Sequence, residues 1–437
     1  MIKSLIIEGV GPAPKMALDF GSRLNLLTGD NGLGKSFLLD IAWWALTRKW
    51  PAQINPRLTS GNMARPSGGE GRITFEFTGK AKAERYTSTF KPKEQDWTGR
   101  PGRPSNPGLV LYAMSDGSFA VWDPARNYWV SHKNLDTQER QPAYVFSPAE
   151  VWDGLRTDDG KWLCNGLIRD WAGWQKENGQ AFQQLKKVLE ALSPSPEELL
   201  APGDLTRVSL DDVRDIPTVR MPYQQDVPVI HASSGMRRIM ALAYFLVWAW
   251  QEHRQASKLL QQPETHQVIF LIDEVESHLH PSWQRKIVPA LLKLMDNLAQ
   301  EAETQLITAT HSPLIMASVE PWFDHQQDAW FDLDIHSECN NLPPQVKLTR
   351  REFVRLGDAS RWLTSEAFDL PSARSEEAEQ ALNDASAALK RKNLTKQEAL
   401  ALDTRLREVL GDTDPFWMRW RFVAEKKGWL DLYRCHP

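Results

Sequence analysis

The chain of 437 residues carries 41% apolar and 25% charged side chains at a formal net charge of −4. That is the balance of a globular protein with room for a sizeable core and up to three domains, and it makes no global electrostatic case for nucleic acid. The longest apolar run, Ile239–Trp250, is too short to span a bilayer, and three scattered cysteines (Cys164, Cys339, Cys435) form neither a metal-spaced pair nor a disulfide framework.

The start, Met1–Ile7, leads directly into strand-like sequence, so a cytoplasmic chain without a signal peptide is expected. Ile2–Ile7 and Met16–Phe20 read as strands around the turn Gly9-Val10-Gly11-Pro12. Leu24–Thr28 reads as a strand feeding Gly29-Asp30-Asn31-Gly32-Leu33-Gly34-Lys35-Ser36, and Ser36–Thr47 as the helix that follows. Residues 51–71 read as a loop. Arg72–Phe77, Tyr86–Phe90, Leu109–Ala113 and Phe119–Asp123 read as short antiparallel strands, with an exposed loop over Pro92–Pro107. Val151–Trp174 and Ala181–Leu192 read as helices, and residues 201–230 as mixed, Pro-punctuated sequence. A long helix is expected over Gly235–His253, buried strands over Val268–Ile272 and Gln305–Thr310, and a helix over Trp283–Ala299 between them. The last hundred residues read as helical, with an apolar stripe from Ala378 to Leu389, a Thr395/Glu398 capping box and a further helix after Asp414-Pro415. The 19 tryptophans, many at helical spacing among aliphatics, are read mainly as core.

The Gly29–Ser36 segment has the spacing of a phosphate-cradling loop in the context such a loop needs, between a strand and a helix. Glycines let backbone N–H groups turn towards phosphate oxygens, and the helix N-terminus adds positive partial charge. The atoms expected to surround a nucleotide are those of Asp30, Asn31, Gly32, Gly34, Lys35, Ser36 and Phe37. Lys35 reaches the β/γ-phosphates, and Ser36 helps hold Mg²⁺. The strand Val268–Ile272 ends in Asp273-Glu274, a pair suited to holding Mg²⁺ (Asp273) and activating water (Glu274) at the carboxyl edge of a parallel sheet. Alone that pair is weak evidence; beside the Gly29 loop it is strong. His311, after the second buried strand, reads either as a γ-phosphate contact or as a satisfied loop histidine. Ser233-Ser234-Gly235 at the start of a long helix reads either as a second anion-binding turn or as a plain N-cap.

Taken in order, these four features resemble the ABC-type ATPases of the RecF, SMC and OLD group over roughly residues 1–370. Gly29–Ser36 resembles their Walker A, Val268–Glu274 their Walker B, Ser233-Ser234-Gly235-Met236 their signature and His311 their switch histidine. Ser277-His278-Leu279-His280-Pro281 sits at the D-loop position, with the His-Leu-His-Pro wording of the OLD-like branch. Pro142–Gly154 falls where a Q-loop is expected, with Gln141 the nearby glutamine. Met236 and His280 depart from the family pattern and bear on turnover more than on nucleotide binding.

The resemblance implies an α/β ABC-type P-loop ATPase head, with a mixed core sheet plus an antiparallel subdomain, a helical insertion and a helical C-terminal region. The implied division is 1–147 and 231–345 for the two parts of the head, 148–230 for the insertion lobe and 346–437 for a region making oligomer or effector contacts. It also implies ATP and Mg²⁺ as cofactors and a head-to-head dimer, or a higher homo-oligomer. Lys35, Ser36, Asp273, Glu274 and His311 then act in cis, and Ser233, Ser234 and Gly235 in trans. The insertion is too short for a coiled-coil arm, and Asp332-Leu333-Asp334 reads as strand, so no nuclease site is expected on this chain. The nearest resemblance is to stand-alone OLD-like ATPase subunits of bacterial anti-phage defence, PtuA of Septu first and AriA of PARIS second, which implies a separate nuclease subunit, most simply of HNH type. A RecF-like repair ATPase acting directly on DNA is the alternative.

Overall fold

The structure, a computed structural model, describes residues 1–66, 68–78, 83–99, 105–128, 130–132, 135–137, 140–298, 302–336, 344–391 and 393–427. Cys339 and Cys435 lie outside these residues; Cys164 is buried and free. Two compact units are present, Met1–Trp362 and Leu363–Pro437.

The first unit is built on an eight-stranded sheet. Its order is Tyr144–Phe146, Phe119–Trp122, Leu109–Ala113, Gln267–Ile272, Glu303–Ala309, Leu24–Gly29, Ala329–His336, Gln345–Arg351. The five strands from Leu109–Ala113 to Ala329–His336 run parallel, and antiparallel strands flank them on both sides. Leu109–Ala113 was expected among the antiparallel strands, but it pairs in parallel with Gln267–Ile272 and is buried at every position. Covering on both faces is what a parallel interior strand requires, and it leaves no alternation to read.

A second sheet, in the order Lys15–Asp19, Ile2–Glu8, Arg72–Thr78, Ala83–Lys91, Asp96–Trp97, is antiparallel throughout. Asp96–Trp97 lies inside the expected loop 92–107, pinned because the Trp97 indole is buried and donates to the Ala64 carbonyl at 2.9 Å. The helix Lys35–Thr47 shares one core with residues of both sheets, including Phe75, Phe77, Tyr112, Ile269 and Phe331. It buries Leu38, Leu39 and every residue from Ile41 to Thr47, because a helix covered on both sides is apolar nearly all round. The helix Ser234–Leu259 packs on the other strands of the large sheet, with Phe245 stacked on Phe119 at a 4.5 Å centroid separation and tilted against Phe146 at 4.8 Å.

The insertion is mixed, not wholly helical. The expected helix over Val151–Trp174 is broken into Pro148–Asp153, a hairpin of Leu155–Arg156 with Trp162–Cys164, and Leu167–Glu177. The cause is turn chemistry: Thr157-Asp158-Asp159-Gly160 closes the hairpin, with Gly160 N–H donating to the Thr157 carbonyl at 2.9 Å. Ala201–Pro202, Thr218–Arg220 and Asp226–Pro228 form a small sheet. Trp43, Trp50, Trp171, Trp362 and Trp420 are fully buried, whereas Trp162 and Trp322 are exposed.

Because Gln345–Arg351 is a strand of the large sheet, the helical unit begins at Leu363 and not at 346. Its helices Glu376–Lys390, Lys396–Val409 and Phe416–Lys426 share a core of Ala378, Ala381, Ala385, Leu406, Leu410, Trp417 and Trp420. The Thr395/Glu398 capping box is formed.

Candidate nucleotide site

Register brings the chemistry to one edge. Ile272 pairs with Ala113 and Thr308, and Ala309 with Leu27, so the carboxyl ends of four neighbouring parallel strands are level. Gly29, Asp273 and Thr310-His311 follow three of those ends.

Gly29 has φ +127°, and a Cβ on it would lie 2.2 Å from the Leu333 carbonyl oxygen, so no other residue fits the turn. Asp30, Asn31 and Gly32 are exposed. The helix Lys35–Thr47 begins at Gly34 with no side-chain cap and no acidic residue in its first turn. Its first N–H groups and dipole are therefore open to an anion. The Lys35 ammonium donates to the carbonyls of Gly29 at 2.7 Å and Asp30 at 2.8 Å. Burial lowers its pKa to about 8, opposed by the charges of Asp273 and Asp30. Phe37 is half-buried, its ring lying against Gly11.

Asp273 is buried. Desolvation raises its pKa, the Ser36 and Ser115 hydroxyls that bond to it oppose the rise, and the neighbouring Glu274 charge adds to it. One of its oxygens, Oδ1, is buried without a hydrogen-bond partner. An unpaired carboxylate oxygen beside the Ser36 hydroxyl fits a hard cation that keeps most of its ligands as water and phosphate. Among the described residues no group of three or more His, Cys, Asp or Glu could hold a metal; the side chains that would hold Mg²⁺ here are Ser36 and Asp273. Glu274 is half-buried at φ +47°, a left-handed conformation that is costly for a side chain with a Cβ. The pKa of His311 is lowered, first by burial and then by the Lys35 charge, so its imidazole is neutral near pH 7.

At the signature turn Ser233 is a helix cap, its Oγ accepting from Met236 N–H at 3.3 Å. Ser233 and Ser234 are nonetheless exposed, whereas Gly235 is buried with its Cα face 2.5 Å, at the Cβ position, from the His278 carbonyl oxygen. The departure at His280 has a local reason: its Nδ1 accepts from Ser282 N–H at 3.3 Å, so the imidazole caps the turn Pro281–Gln284.

The expected Q-loop position is not supported. Tyr144–Phe146 is the outermost strand, three strands from Gln267–Ile272, and the Gln141 carbonyl accepts from Asn127. The segment that leaves the strand beside Gln267–Ile272 is Met114-Ser115-Asp116, and Ser115 reaches Asp273. Three further residues escaped the sequence reading. Glu276 accepts from the His311 backbone N–H; Arg238 donates to the carbonyls of Asp273 and Glu274; and Asp40 accepts from the Tyr112 hydroxyl at 2.9 Å. Glu276 and Arg238 stood next to motif residues, but nothing in their spacing marks a backbone contact.

A family model described as "AAA domain, putative AbiEii toxin, Type IV TA system" matches residues 24–317, from the strand before Gly29 to past His311. The chain belongs to this family. It is similar to the Retron Ec83 probable ATPase of Escherichia coli, 27% identical over 164 residues that make up 37% of this chain and 26% of that protein. It is likewise similar to the Retron Vc95 probable ATPase of Vibrio cholerae serotype O1 biovar El Tor, 27% identical over 27% of this chain and 21% of that protein. The chain thus spans about a quarter or less of the length of these two relatives. Septu protein PtuA of Bacillus thuringiensis is 20% identical over 72% of each chain, which bears out the resemblance stated first. Among solved structures, the SMC head domain from Thermotoga maritima aligns with 80% of this chain and 99% of its own at 14% identity and TM-score 0.38. An SMC head bound to the C-winged helix domain of ScpA aligns with 80% and 98% at 13% identity and TM-score 0.41. The family member described here has an α/β fold with a mixed sheet, an antiparallel sheet and a helical C-terminal unit. Among the described residues no helix is long and apolar enough to cross a membrane.

Proposed function

We propose that the chain binds and slowly hydrolyses ATP in a head-to-head pair of copies, and that this cycle regulates a separate nuclease subunit, most simply of HNH type, in bacterial anti-phage defence. The single observation that carries the nucleotide part is the uncapped helix start at Gly34–Phe37, set against Lys35 and the unpaired Asp273 oxygen at one sheet edge.

In this reading the N–H groups of Gly32, Gly34, Lys35, Ser36 and Phe37 cradle the phosphates, with Asp30 and Asn31 shaping the loop. Lys35 turns from its own loop carbonyls to the β/γ-phosphates. Ser36 and Asp273 would hold Mg²⁺, which would supply charge neutralisation at the phosphates. Glu274 orients the attacking water and takes its proton as the new bond to the γ-phosphorus forms and the bond to the ADP oxygen breaks. Neutral His311 donates a hydrogen bond to the γ-phosphate. Ser233, Ser234 and Gly235 of the second copy close the site in trans, which suits the exposure of both serines. The defence context rests on the similarity to Septu protein PtuA, a protein of matched length, and the retron ATPases; the nuclease partner rests on the family resemblance read in the sequence.

The test is size-exclusion chromatography with multi-angle scattering on the Glu274→Gln variant, followed by co-purification with the product of the neighbouring gene. ATP with Mg²⁺ is expected to raise the mass and hold it raised, and the neighbour to be a nuclease that stays bound. No ATP-dependent mass change defeats the dimer. A chain that purifies alone and binds gapped DNA only with ATP moves the reading to a DNA repair ATPase.

A further inference from the structure

Arg238 is the fifth residue of the helix that Ser233 caps, one turn beyond the residues expected to act in trans. Its guanidinium is buried and bridges two strand ends. One terminal nitrogen, Nη1, donates to the carbonyls of Met114 at 3.2 Å and Ser115 at 3.3 Å. The other, Nη2, donates to those of Asp273 at 2.7 Å and Glu274 at 3.1 Å. The first pair belongs to the segment whose Ser115 reaches Asp273, the second to the turn in which Glu274 is held at φ +47°. A strained residue persists only where its surroundings over-determine it, and the rigid planar fork of arginine holds carbonyls of two separate segments in a fixed geometry that a rotatable ammonium does not impose. Gly235, in the same turn, sits against the His278 carbonyl, so the helix start is seated on the Asp273–Leu279 segment at two points.

We infer that Arg238 is a positioning residue for Glu274 and that it links the two nucleotide sites of a pair: docking of Ser233–Gly235 on the partner's nucleotide sets, through Arg238, the Glu274 of the same head. This deepens the proposed function and rests on it. The helix is one rigid element of 26 residues, buried from Ile239 to Trp250, so a displacement of its exposed tip moves the guanidinium with it. The guanidinium bonds to main-chain carbonyls, so Arg238 acts through the backbone of Asp273 and Glu274.

The experiment compares wild type, Arg238→Met, Arg238→Lys, Glu274→Gln and the double variant Arg238→Met/Glu274→Gln for ATP affinity, ATP-dependent mass and kcat. Arg238→Met is expected to keep ATP affinity within about threefold while kcat falls about 100-fold, the scale of a catalytic group displaced by an ångström. Arg238→Lys should recover part of the loss. The double variant should be no slower than Glu274→Gln alone, because both changes act on one group. A double variant slower than Glu274→Gln, or an Arg238→Met kcat within about twofold of wild type, overturns the assignment and leaves the proposed function standing. Affinity and kcat falling together also overturn it, as the mark of a merely structural residue. Should Arg238→Met not fold, Arg238→Lys must show the same split between affinity and kcat, or the assignment falls. A wild-type chain that neither hydrolyses ATP nor changes mass defeats the proposed function, and this inference with it.

Discussion

The carboxylate of Glu276 accepts the backbone N–H of His311, tying the turn after one parallel strand to the loop after its neighbour. Burial pushes the Glu276 pKa up, and that N–H, together with the Thr310 hydroxyl, holds it back. Its second oxygen, Oε2, is buried without a partner. The contact lets a change at Glu274, two residues away, be felt at the residue expected to face the γ-phosphate.

Glu276→Gln keeps an acceptor for His311, whereas Glu276→Ala leaves that N–H without its partner. The alanine variant should therefore lose about 1–3 kcal/mol of stability and more kcat than ATP affinity, and the glutamine variant most of neither. Urea unfolding beside steady-state hydrolysis separates the two. Equal behaviour of Gln and Ala would mean that the contact holds nothing in place.

Asp40 carries a pH signature. Burial raises its pKa to about 7, the Tyr112 hydroxyl opposes the rise, and the charges of Asp273 and Asp116 add to it. The folded pKa lies above the unfolded value, so the stability from keeping Asp40 protonated is complete below about pH 4. It is lost as pH rises to about 7. Asp40→Asn keeps the acceptor for Tyr112 and removes the titration. The variant should gain on wild type by the order of 2–4 kcal/mol between those limits, measured by urea unfolding without nucleotide across the range. A gain that does not depend on pH would place the titration elsewhere.

How legible the chain was follows from where each signal resides. Gly29, Lys35 and Asp273-Glu274 are side-chain requirements set between clear strands and helices, so a local window suffices to find them. The helix Lys35–Thr47, capping box Thr395/Glu398 and buried strand Gln267–Ile272 are local in the same sense. Pairing is not local. Leu109–Ala113 is as apolar as any strand of a sandwich, and only its partner Gln267–Ile272 makes it parallel. Arg238, Glu276 and Ser115 act on backbone or across strand ends, where identity says little about the partner. The break at Thr157–Gly160 was in principle readable from its Asp-Gly turn, and apolar helical spacing on either side overrode it.

Gly29 offers a stability test of the loop itself. A methyl group there meets the backbone of Leu333, which cannot give way without parting the register of Leu333 with Gly29. Gly29→Ala also asks alanine to adopt φ +127°. The loss should be about 3 kcal/mol or more, and nucleotide binding should go with it. Thermal melting with and without ATP checks both. A well-folded Gly29→Ala chain that still binds ATP would show that the turn at Gly29 relaxes more readily than its contacts indicate.

A site divided between two copies can be rebuilt from two defective ones. Lys35→Ala removes the cis half of each site, and Ser234→Arg, at an exposed position, blocks the trans half without a core change. Each homodimer then has no complete site. A mixed pair has one: the intact Gly29–Ser36 loop of the Ser234→Arg copy, closed by the intact signature of the Lys35→Ala copy. Under a two-fold arrangement with random exchange, half the pairs are mixed and each holds one site of two, so about a quarter of wild-type hydrolysis should return on mixing. The rate is read after co-incubation with ATP at several mixing ratios, and recovery should peak at equal amounts. Activity in the Ser234→Arg variant alone would show a site complete within one chain. No recovery on mixing two folded variants, of which Ser234→Arg still binds ATP, would show that Ser234 does not act across the pair.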